Sequence, residues 1–352
     1  MTKRIVMCFD GTWNTPDNNG DLGGDTSTNV WKFFDSIAEK GADGMTQIKW
    51  YDEGVGTKWY NKVRGGAFGV GLSTNIQEGY RFLAKIYEAG DEVYLLGFSR
   101  GAYTARSLVG LIRNSGLVTP DNLNKVCEAY QLYRTRDEHA DGPNAVFFRD
   151  NYARPVNIKF LGVWDTVGAL GIPIESFEWF NKAYYEFHDT ELSGIVENAF
   201  HALAVDEYRE NFSPTLWAPS TQPNQRMEQV WFVGAHANVG GGYAEEQLSD
   251  IALAWMQERA TSCGLAIVAS KIPQLTAANC AGSVQNSFDE FMRGFYRLMH
   301  ARYFRGIGNT DFGNEEVHPS VAERLNTVTT YRPRNSVGAK VTGVRNPGSG
   351  KL

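Results

Sequence analysis

The chain has 352 residues, of which 42% are hydrophobic, and a formal net charge of −6. This length and apolar content are sufficient for a large core within a single domain. The acidic charge balance argues against a nucleic-acid partner, which would require a basic patch. Four cysteines are scattered without metal-ligand spacing, so we expect free thiols and a reducing compartment. We expect neither a metal nor an organic cofactor.

The first predicted strand begins almost at Met1, which leaves no room for a signal peptide. No apolar run approaches the length of a membrane span. We therefore expect a soluble protein that is made in the cytoplasm and that would need a route without a signal peptide if it is exported.

The N-terminal third alternates strands and helices. A buried strand over 4–9 ends at Asp10-Gly11-Thr12, and a helix follows from Asn29, with apolar residues at helical spacing. A short strand over 47–51 and a helix over 74–89 come next. This order is typical of an α/β protein with a doubly wound, mostly parallel sheet, in which function gathers at the carboxyl ends of the strands.

A nucleophile elbow is predicted around Ser99. The apolar run Val93–Leu96 is followed by Gly97-Phe-Ser99-Arg-Gly101 and then by a helix that extends to about Ser115. In such an elbow the serine lies on a strained turn between strand and helix, and the flanking positions must be small. An ordinary glycine-rich turn is the alternative reading of the same five residues.

Two backbone N–H groups are expected to bind the oxyanion. One belongs to Arg100, at the start of the elbow helix, where unsatisfied donors favour negative charge. The other belongs to Gly11 or Thr12, because the loop after the first strand occupies the place of the second oxyanion donor in α/β-hydrolases.

Asp165 follows the predicted strand Val156–Trp164, one strand after the serine, and can orient a catalytic histidine from there. A loop-capping role is the simpler alternative, and Asp250 is the rival candidate for the catalytic acid.

Residues 173–226 interrupt the alternation of strands and helices. They predict a helical, aromatic cap inserted into the single domain that spans 1–352. The segment contains a dense aromatic run over 177–187, in which Trp179 and Phe180 are the candidate substrate-facing residues. Aromatic side chains suit a boundary between water and lipid. A helix is predicted over 192–209, and it would contain His201, interpreted as structural.

His236 is the candidate general base. It follows the predicted strand Glu228–Gly234, and three glycines shortly after it allow the loop to bend toward the serine. The order Ser99, Asp165, His236 is the order of α/β-hydrolases. Helices over 249–259 and 287–302 and a polar tail from Thr327 complete the predicted elements.

Five ordered segments together carry a family resemblance. They are Phe9–Asn14, Gly97–Ala102, Gly162–Gly168, His201–Glu207 and Gly234–Tyr243. From Arg4 to about Leu325 the chain resembles an α/β-hydrolase family of an uncharacterised domain that includes type VI secretion phospholipase effectors. The resemblance implies that Ser99, Asp165 and His236 form the triad and that the substrate is a glycerophospholipid or another carboxylic ester. Asn238 stands where the family usually carries an aspartate.

The predicted function is therefore a serine hydrolase that cleaves phospholipid esters through an acyl-enzyme. A secretion apparatus, an immunity protein and the membrane surface are the partners that the resemblance implies. The alternatives are an esterase of soluble substrates and an inactive, hydrolase-like binding protein. A haloacid-dehalogenase-type phosphatase is disfavoured, because Cys8 stands where that family has its nucleophilic aspartate.

Overall fold

The computed structural model describes residues 2–11, 27–54, 67–135, 139–167, 191–290, 296–308 and 314–335. Its centre is a sheet of seven strands, all parallel to their neighbours. In chain order the strands of the structure are β1 Lys3–Phe9, β2 Thr46–Asp52, β3 Glu92–Phe98, β4 Leu117–Val118, β5 Ala153–Arg154, β6 Ile158–Trp164, β7 Asn198–Ala204, β8 Arg226–Phe232 and β9 Glu315–Val317.

The spatial order of the large sheet is β2-β1-β3-β6-β7-β8-β9, while β4 and β5 form a separate antiparallel pair. The chain thus winds from β1 outward to β2 and then returns to place β3 on the other side of β1. The expected α/β-hydrolase-like, doubly wound parallel sheet is confirmed. The elbow strand β3 lies in the middle, between β1 and β6.

Helices cover both faces of the sheet. They are α1 Asn29–Ser36, α2 Ala67–Ile86, α3 Arg100–Ser115, α4 Val126–Arg134, α5 Pro143–Tyr152, α6 His236–Gly240, α7 Gln247–Ser262, α8 Ser287–Glu290, α9 Tyr296–Met299 and α10 Pro319–Thr327. Short 3₁₀ turns occur at Pro120–Lys125, Glu210–Phe212, Ala269–Lys271 and Ala277–Ala281.

The alternation of side chains along β1 divides the core into two layers. Ile5, Met7 and Phe9 pack in the layer that contains the buried faces of α2, α3 and α4. Val6 and Cys8 point to the opposite layer, which contains α1 and α7. Successive strand residues point to opposite faces, so a strand covered by helices on both sides is apolar at nearly every position.

The helix predicted over 192–209 is wrong: Asn198–Ala204 is strand β7, paired with β6 and β8 inside the sheet. Residues 198–204 therefore belong to the central sheet, although they lie within the segment predicted as an insertion. Residues 168–190 lie outside the described residues, so the cap itself stays a prediction.

The helix predicted over 287–302 is also not continuous. The structure has two single-turn helices, α8 and α9, at its start and middle, and residues 291–295 between them are not among the described ones. Residues 300–308 run without helix. Within the described parts of the chain, none of the helices has the length and hydropathy needed to cross a bilayer.

Candidate active site

Ser99 lies on a strained turn between β3 and α3. Its φ of 56° and ψ of −118° are unusual for a residue with a side chain. A Cβ atom on Gly101 would overlap the carbonyl oxygen of Phe9, and one on Gly97 would overlap the backbone of Gly101 and Ala102. The two glycines of the motif are therefore required by close backbone contacts, as the sequence predicted.

Asp165 occupies the equivalent position on the neighbouring strand. It directly follows β6, and the Ser99 N–H donates to the carbonyl oxygen of Trp164 at 3.1 Å. Asp165 is fully buried and has a φ of 34°. Among the described residues other than glycine, Ser99 and Asp165 alone have a positive φ. Backbone strain of this kind concentrates at functional sites.

His236 is the first residue of α6, shortly after β8, and its ring reaches Asp165. The distance from Nδ1 of His236 to Oδ2 of Asp165 is 2.7 Å. Since a carboxylate only accepts, this bond favours the tautomer with the proton on Nδ1 and leaves Nε2 as the basic nitrogen. Burial lowers the pKa of His236, while Asp165 opposes that shift. The imidazole is thus neutral and able to accept a proton at neutral pH.

The rival acid Asp250 lies elsewhere. It is in the first turn of α7, and its Oδ1 accepts from Nζ of Lys32 on α1 at 3.3 Å. The structure therefore brings Asp165, and not Asp250, to His236.

Arg305 is an unpredicted member of the site. Its Nη1 donates to Oδ1 of Asp165 at 2.7 Å, and its Nη2 donates to Oδ2 at 3.0 Å. The guanidinium is as deeply buried as the carboxylate. Burial alone would raise the pKa of Asp165, but the charge of Arg305 and the bond to His236 outweigh burial and hold that pKa well below its usual range.

Two consecutive acids, Asp206 and Glu207, hold the loop that carries His236. Oδ2 of Asp206 accepts from the N–H of Gly234 at 2.8 Å, and Oε2 of Glu207 accepts from the N–H of His236 at 3.2 Å. Burial tends to raise the pKa of Glu207, yet its ion pair with Arg209 lowers that pKa to about 2. Glu207 is therefore an ionised acceptor at neutral pH.

Asn238 ties the same loop to residues 283–285. Its Oδ1 accepts from the N–H groups of Ala235 and Gln285, both at 3.1 Å, and its Nδ2 donates to the carbonyl oxygen of Ser283 at 3.2 Å. An ionised aspartate at this position could accept but not donate. The amide therefore supports the loop in a way that the expected carboxylate could not.

Aromatic rings enclose the imidazole. The ring centroid of Phe98, next to the serine, lies 4.6 Å from that of His236. The ring centroid of Phe212 lies 4.9 Å from that of His236, in an edge-on arrangement. The guanidinium of Arg209 stacks on Phe212 at 3.4 Å. The side chain of His236 is buried at this position, and burial strengthens its electrostatic interactions.

The structure describes two of the three residues whose backbone N–H groups were expected to bind the oxyanion, Arg100 and Gly11. Arg100 opens α3 directly after Ser99, as predicted. The N–H of Gly11 donates to Oδ1 of Asp10 at 2.6 Å in this conformation, and its role as an oxyanion donor stays a prediction. Thr12 lies outside the described residues. Oδ2 of Asp10 accepts from the hydroxyls of Thr28 and Tyr51, both at 2.5 Å, and burial raises the pKa of Asp10 to about 7.

His201 is buried in β7 and supports the turn after Asp165. Its Nε2 accepts from the N–H of Thr166 at 3.1 Å, and burial lowers its pKa to about 3. Trp179 and Phe180, the predicted cap residues, lie outside the described residues. Within the described ranges, no three His, Cys, Asp or Glu side chains are grouped to hold a metal ion.

Sequence reasoning missed Arg305 and the roles of Asp206 and Glu207. The segment His201–Glu207 carried a signal, because it is one of the five family-like segments and ends in two adjacent acids that become buried. Arg305 carried no comparable signal, since it lies in an irregular stretch far from the motifs.

Comparison with known proteins assigns the family. Residues 3–259 match the model of the type VI secretion system Tle1-like phospholipase effector, catalytic domain. The chain belongs to this family. Ser99, Asp165 and His236 lie within the matched Tle1-like domain, whereas Arg305 and β9 lie beyond it.

An uncharacterized protein of Saccharomyces cerevisiae is 30% identical over 242 residues, which are 62% of this chain and 33% of that protein. A crystal structure of an uncharacterized protein from Pseudomonas aeruginosa has a TM-score of 0.50 at 19% identity, covering 85% of this chain and 51% of that one. The Tle1 effector bound to the VgrG spike has a TM-score of 0.43 at 21% identity, covering 69% and 52%. The chain thus spans a third to a half of the length of these relatives.

Proposed function

We propose that the protein is a serine hydrolase of carboxylic esters, with Ser99 as nucleophile, His236 as general base and Asp165 as the acid that orients it. The bond between His236 Nδ1 and Asp165, next to the elbow that presents Ser99, is the observation that supports this proposal best. It fixes the imidazole tautomer that a serine nucleophile requires.

The proposed reaction proceeds in two steps. Nε2 of His236 takes the proton of Ser99 Oγ while the oxygen attacks the ester carbonyl, and the N–H of Arg100 stabilises the oxyanion. His236 then gives the proton to the departing alcohol, which leaves an acyl group on Ser99. Water, deprotonated by His236, releases the carboxylic acid and restores the serine. Asp165 stays ionised throughout.

A phospholipid is the substrate that we propose. The family of phospholipase effectors supports this choice, and so do exposed apolar residues in the segment that precedes Arg305 in the chain. Leu298, Met299 and Phe304 have exposed fractions of 75%, 64% and 49%, and Phe304 directly precedes Arg305. Exposed Arg297 adds a cation next to these apolar side chains, a combination that suits a phospholipid surface. We accordingly propose peripheral membrane contact and a secretion apparatus as partner; an immunity protein remains a prediction.

Labelling and hydrolysis together test the proposal. A fluorophosphonate probe should label the wild-type protein and the Ser107→Ala control, but not Ser99→Ala. Ser99→Ala and His236→Ala should each lower the hydrolysis of phospholipid vesicles by several orders of magnitude, and the double variant should be little worse, because triad members act as a unit. Near-wild-type hydrolysis by folded Ser99→Ala contradicts the proposal. Activity on soluble esters but not on vesicles would favour the alternative, an esterase of soluble substrates. Absence of labelling would favour an inactive, hydrolase-like binding protein.

A further inference from the structure

The carboxylate of Asp165 is saturated by donors. Oδ1 accepts from Nη1 of Arg305 and from the N–H of Ala204 at 3.0 Å, while Oδ2 accepts from Nη2 of Arg305 and from Nδ1 of His236. A carboxylate offers about four acceptor positions, so none is left over. The rigid guanidinium fork therefore sets the plane of the carboxylate and with it the direction of the bond to His236.

Arg305 is itself held from several sides. Nη1 also donates to the carbonyl oxygen of Ala204 at 2.7 Å, and Nη2 donates to that of Phe212 at 2.5 Å. The N–H of Arg305 donates to Oδ1 of Asn335 at 2.9 Å. A side chain placed this firmly, and only 3% exposed, can determine the position of another group.

The charge of Arg305 resolves a conflict within the site. A buried carboxylate stays ionised only where hydrogen-bond donors or a nearby cation stabilise its charge. His236 can act as that cation only when it is protonated, and a protonated imidazole cannot accept the proton of Ser99. A guanidinium keeps its charge at every relevant pH, so Asp165 can stay ionised while His236 stays neutral.

We propose that Arg305 is a positioning residue of this site: its two hydrogen bonds hold Asp165 toward His236, so that the segment after residue 259 completes the catalytic machinery. The inference rests on the serine hydrolase function proposed above. It extends the functional unit beyond residues 3–259, which match the model of the catalytic domain.

The surrounding charges allow a test by pH. Among the described residues, the charged or titratable groups that interact with the Asp165–His236 pair are Arg305, Glu207, Arg209 and the buried His201 of β7. Burial lowers the pKa of His201 to about 3, so this imidazole is neutral over the pH range of the test. Glu207 and Arg209 are paired with each other and act in opposite senses on the pKa of His236. Removing Arg305 takes away a cation, which raises the pKa of the pair and requires a higher pH before His236 is a free base.

The experiment is the rate of Ser99 labelling by a fluorophosphonate as a function of pH, which needs no lipid substrate. At low pH the labelling rate falls as His236 takes up a proton, and this part of the curve is the acidic limb. In Arg305→Met the acidic limb should move to higher pH by at least one unit, so that the labelling rate falls at least tenfold at pH 6 and much less at pH 9. Arg305→Lys keeps a cation but loses the fork, so the profile should stay near its wild-type pH while the labelling rate at its high-pH plateau falls, because the carboxylate of Asp165 is no longer aligned.

Arg324→Met is the matched control. Arg324 is also a buried arginine, and its Nη1 donates to the carbonyl oxygens of Cys280 and Gly282 at 2.6 and 2.7 Å. This variant should lose stability without moving the limb. If Arg305→Met does not fold, Arg305→Lys decides alone through its plateau rate. An unshifted pH profile in Arg305→Met, or a wild-type plateau rate in Arg305→Lys, overturns the inference, whereas failure of the wild-type protein to label Ser99 overturns the proposed function itself.

Discussion

Asp165 carries the most interactions of the three proposed catalytic residues, since it contacts a histidine, an arginine and a backbone N–H within a fully buried pocket. Its single negative charge both orients His236 and neutralises Arg305. Any change of this residue therefore affects chemistry and stability together, and the two effects must be separated by experiment.

We expect Asp165→Asn to reduce turnover by about 10⁴, because an amide can hold the imidazole in the wrong tautomer. The variant should also lose about 3–5 kcal/mol of stability, since it leaves Arg305 buried without its partner. Turnover at saturating substrate and thermal unfolding measure the two effects. Asp250→Asn, which removes an acid bonded to Lys32, should leave turnover unchanged.

The double variant Asp165→Asn with Arg305→Met serves as the control for folding. It removes both charges, so it should regain much of the lost stability while staying inactive. Recovery of activity in the double variant, or full activity in Asp165→Asn alone, would show that another residue is the catalytic acid.

The three proposed catalytic residues were predictable because each follows a recognisable strand at the same edge of a parallel sheet. Neighbouring strands bring their carboxyl ends together, so position along the chain is enough to place Ser99 and Asp165 side by side. Arg305 was not predictable in this way. It reaches the site from an irregular segment 140 residues after Asp165, and irregular segments have no periodicity from which direction can be inferred.

The elbow between β3 and α3 shows how an element is built around one strained residue. Gly97 and Gly101 allow the close contacts, yet the strained conformation itself falls on Ser99, which has a side chain. The turn is thus held by β3 and α3 at the expense of local stability.

Ser99→Gly should stabilise the fold while abolishing turnover. A strained φ costs about 1–3 kcal/mol for a residue with a side chain, whereas glycine loses about 0.5–1 kcal/mol through greater freedom in the unfolded chain. The net gain of about 1 kcal/mol is measurable by chemical denaturation. Ser107→Gly, in the interior of the same helix, is the control and should destabilise; a comparable loss in Ser99→Gly would mean that the elbow is not strained.

Strand β7 shows where sequence periodicity misleads. Asn198–Ala204 contains three alanines, and Ile195, Ala199, Phe200 and Leu203 recur at helical spacing, so the segment resembles an amphipathic helix. In the sheet it is buried on both faces, and a central parallel strand is a continuous apolar run without alternation. Tertiary pairing with β6 and β8 overrides the local preference.

Strand β9 was not predicted for another reason: it has only three residues, and two of them are glutamates.

At the scale of the whole molecule, the members of the proposed active site are buried, and the proposed lipid substrate must reach them from the surface. The exposed apolar residues that precede Arg305 in the chain are one candidate approach, and the aromatic run predicted over 177–187 is another. Trp179 and Phe180 lie outside the described residues, so their role rests on the sequence alone.

Replacing Trp179 and Phe180 together with serine should lower hydrolysis of phospholipid vesicles at least tenfold more than hydrolysis of a soluble short-chain ester. The reason is that loss of lipid contact affects binding to the aggregate but not the triad. Phe147→Ser is a suitable control, because Phe147 is exposed on α5, which contacts the end of α3 about 22 Å from the elbow. Equal losses on both substrates with unchanged melting would exclude a lipid-facing role, and unfolding would place the two residues in the core.

The position of Arg305 has a consequence for how this domain can be exchanged between proteins. A genetic fusion or natural recombination that carried only residues 3–259 would transfer Ser99, Asp165 and His236 intact. It would leave behind the edge strand β9 and the counter-ion of Asp165, so the pKa of this carboxylate would rise in the recipient. The stretch needed for the proposed activity is therefore expected to be longer than residues 3–259, and the residues after 259 should be transferred with it.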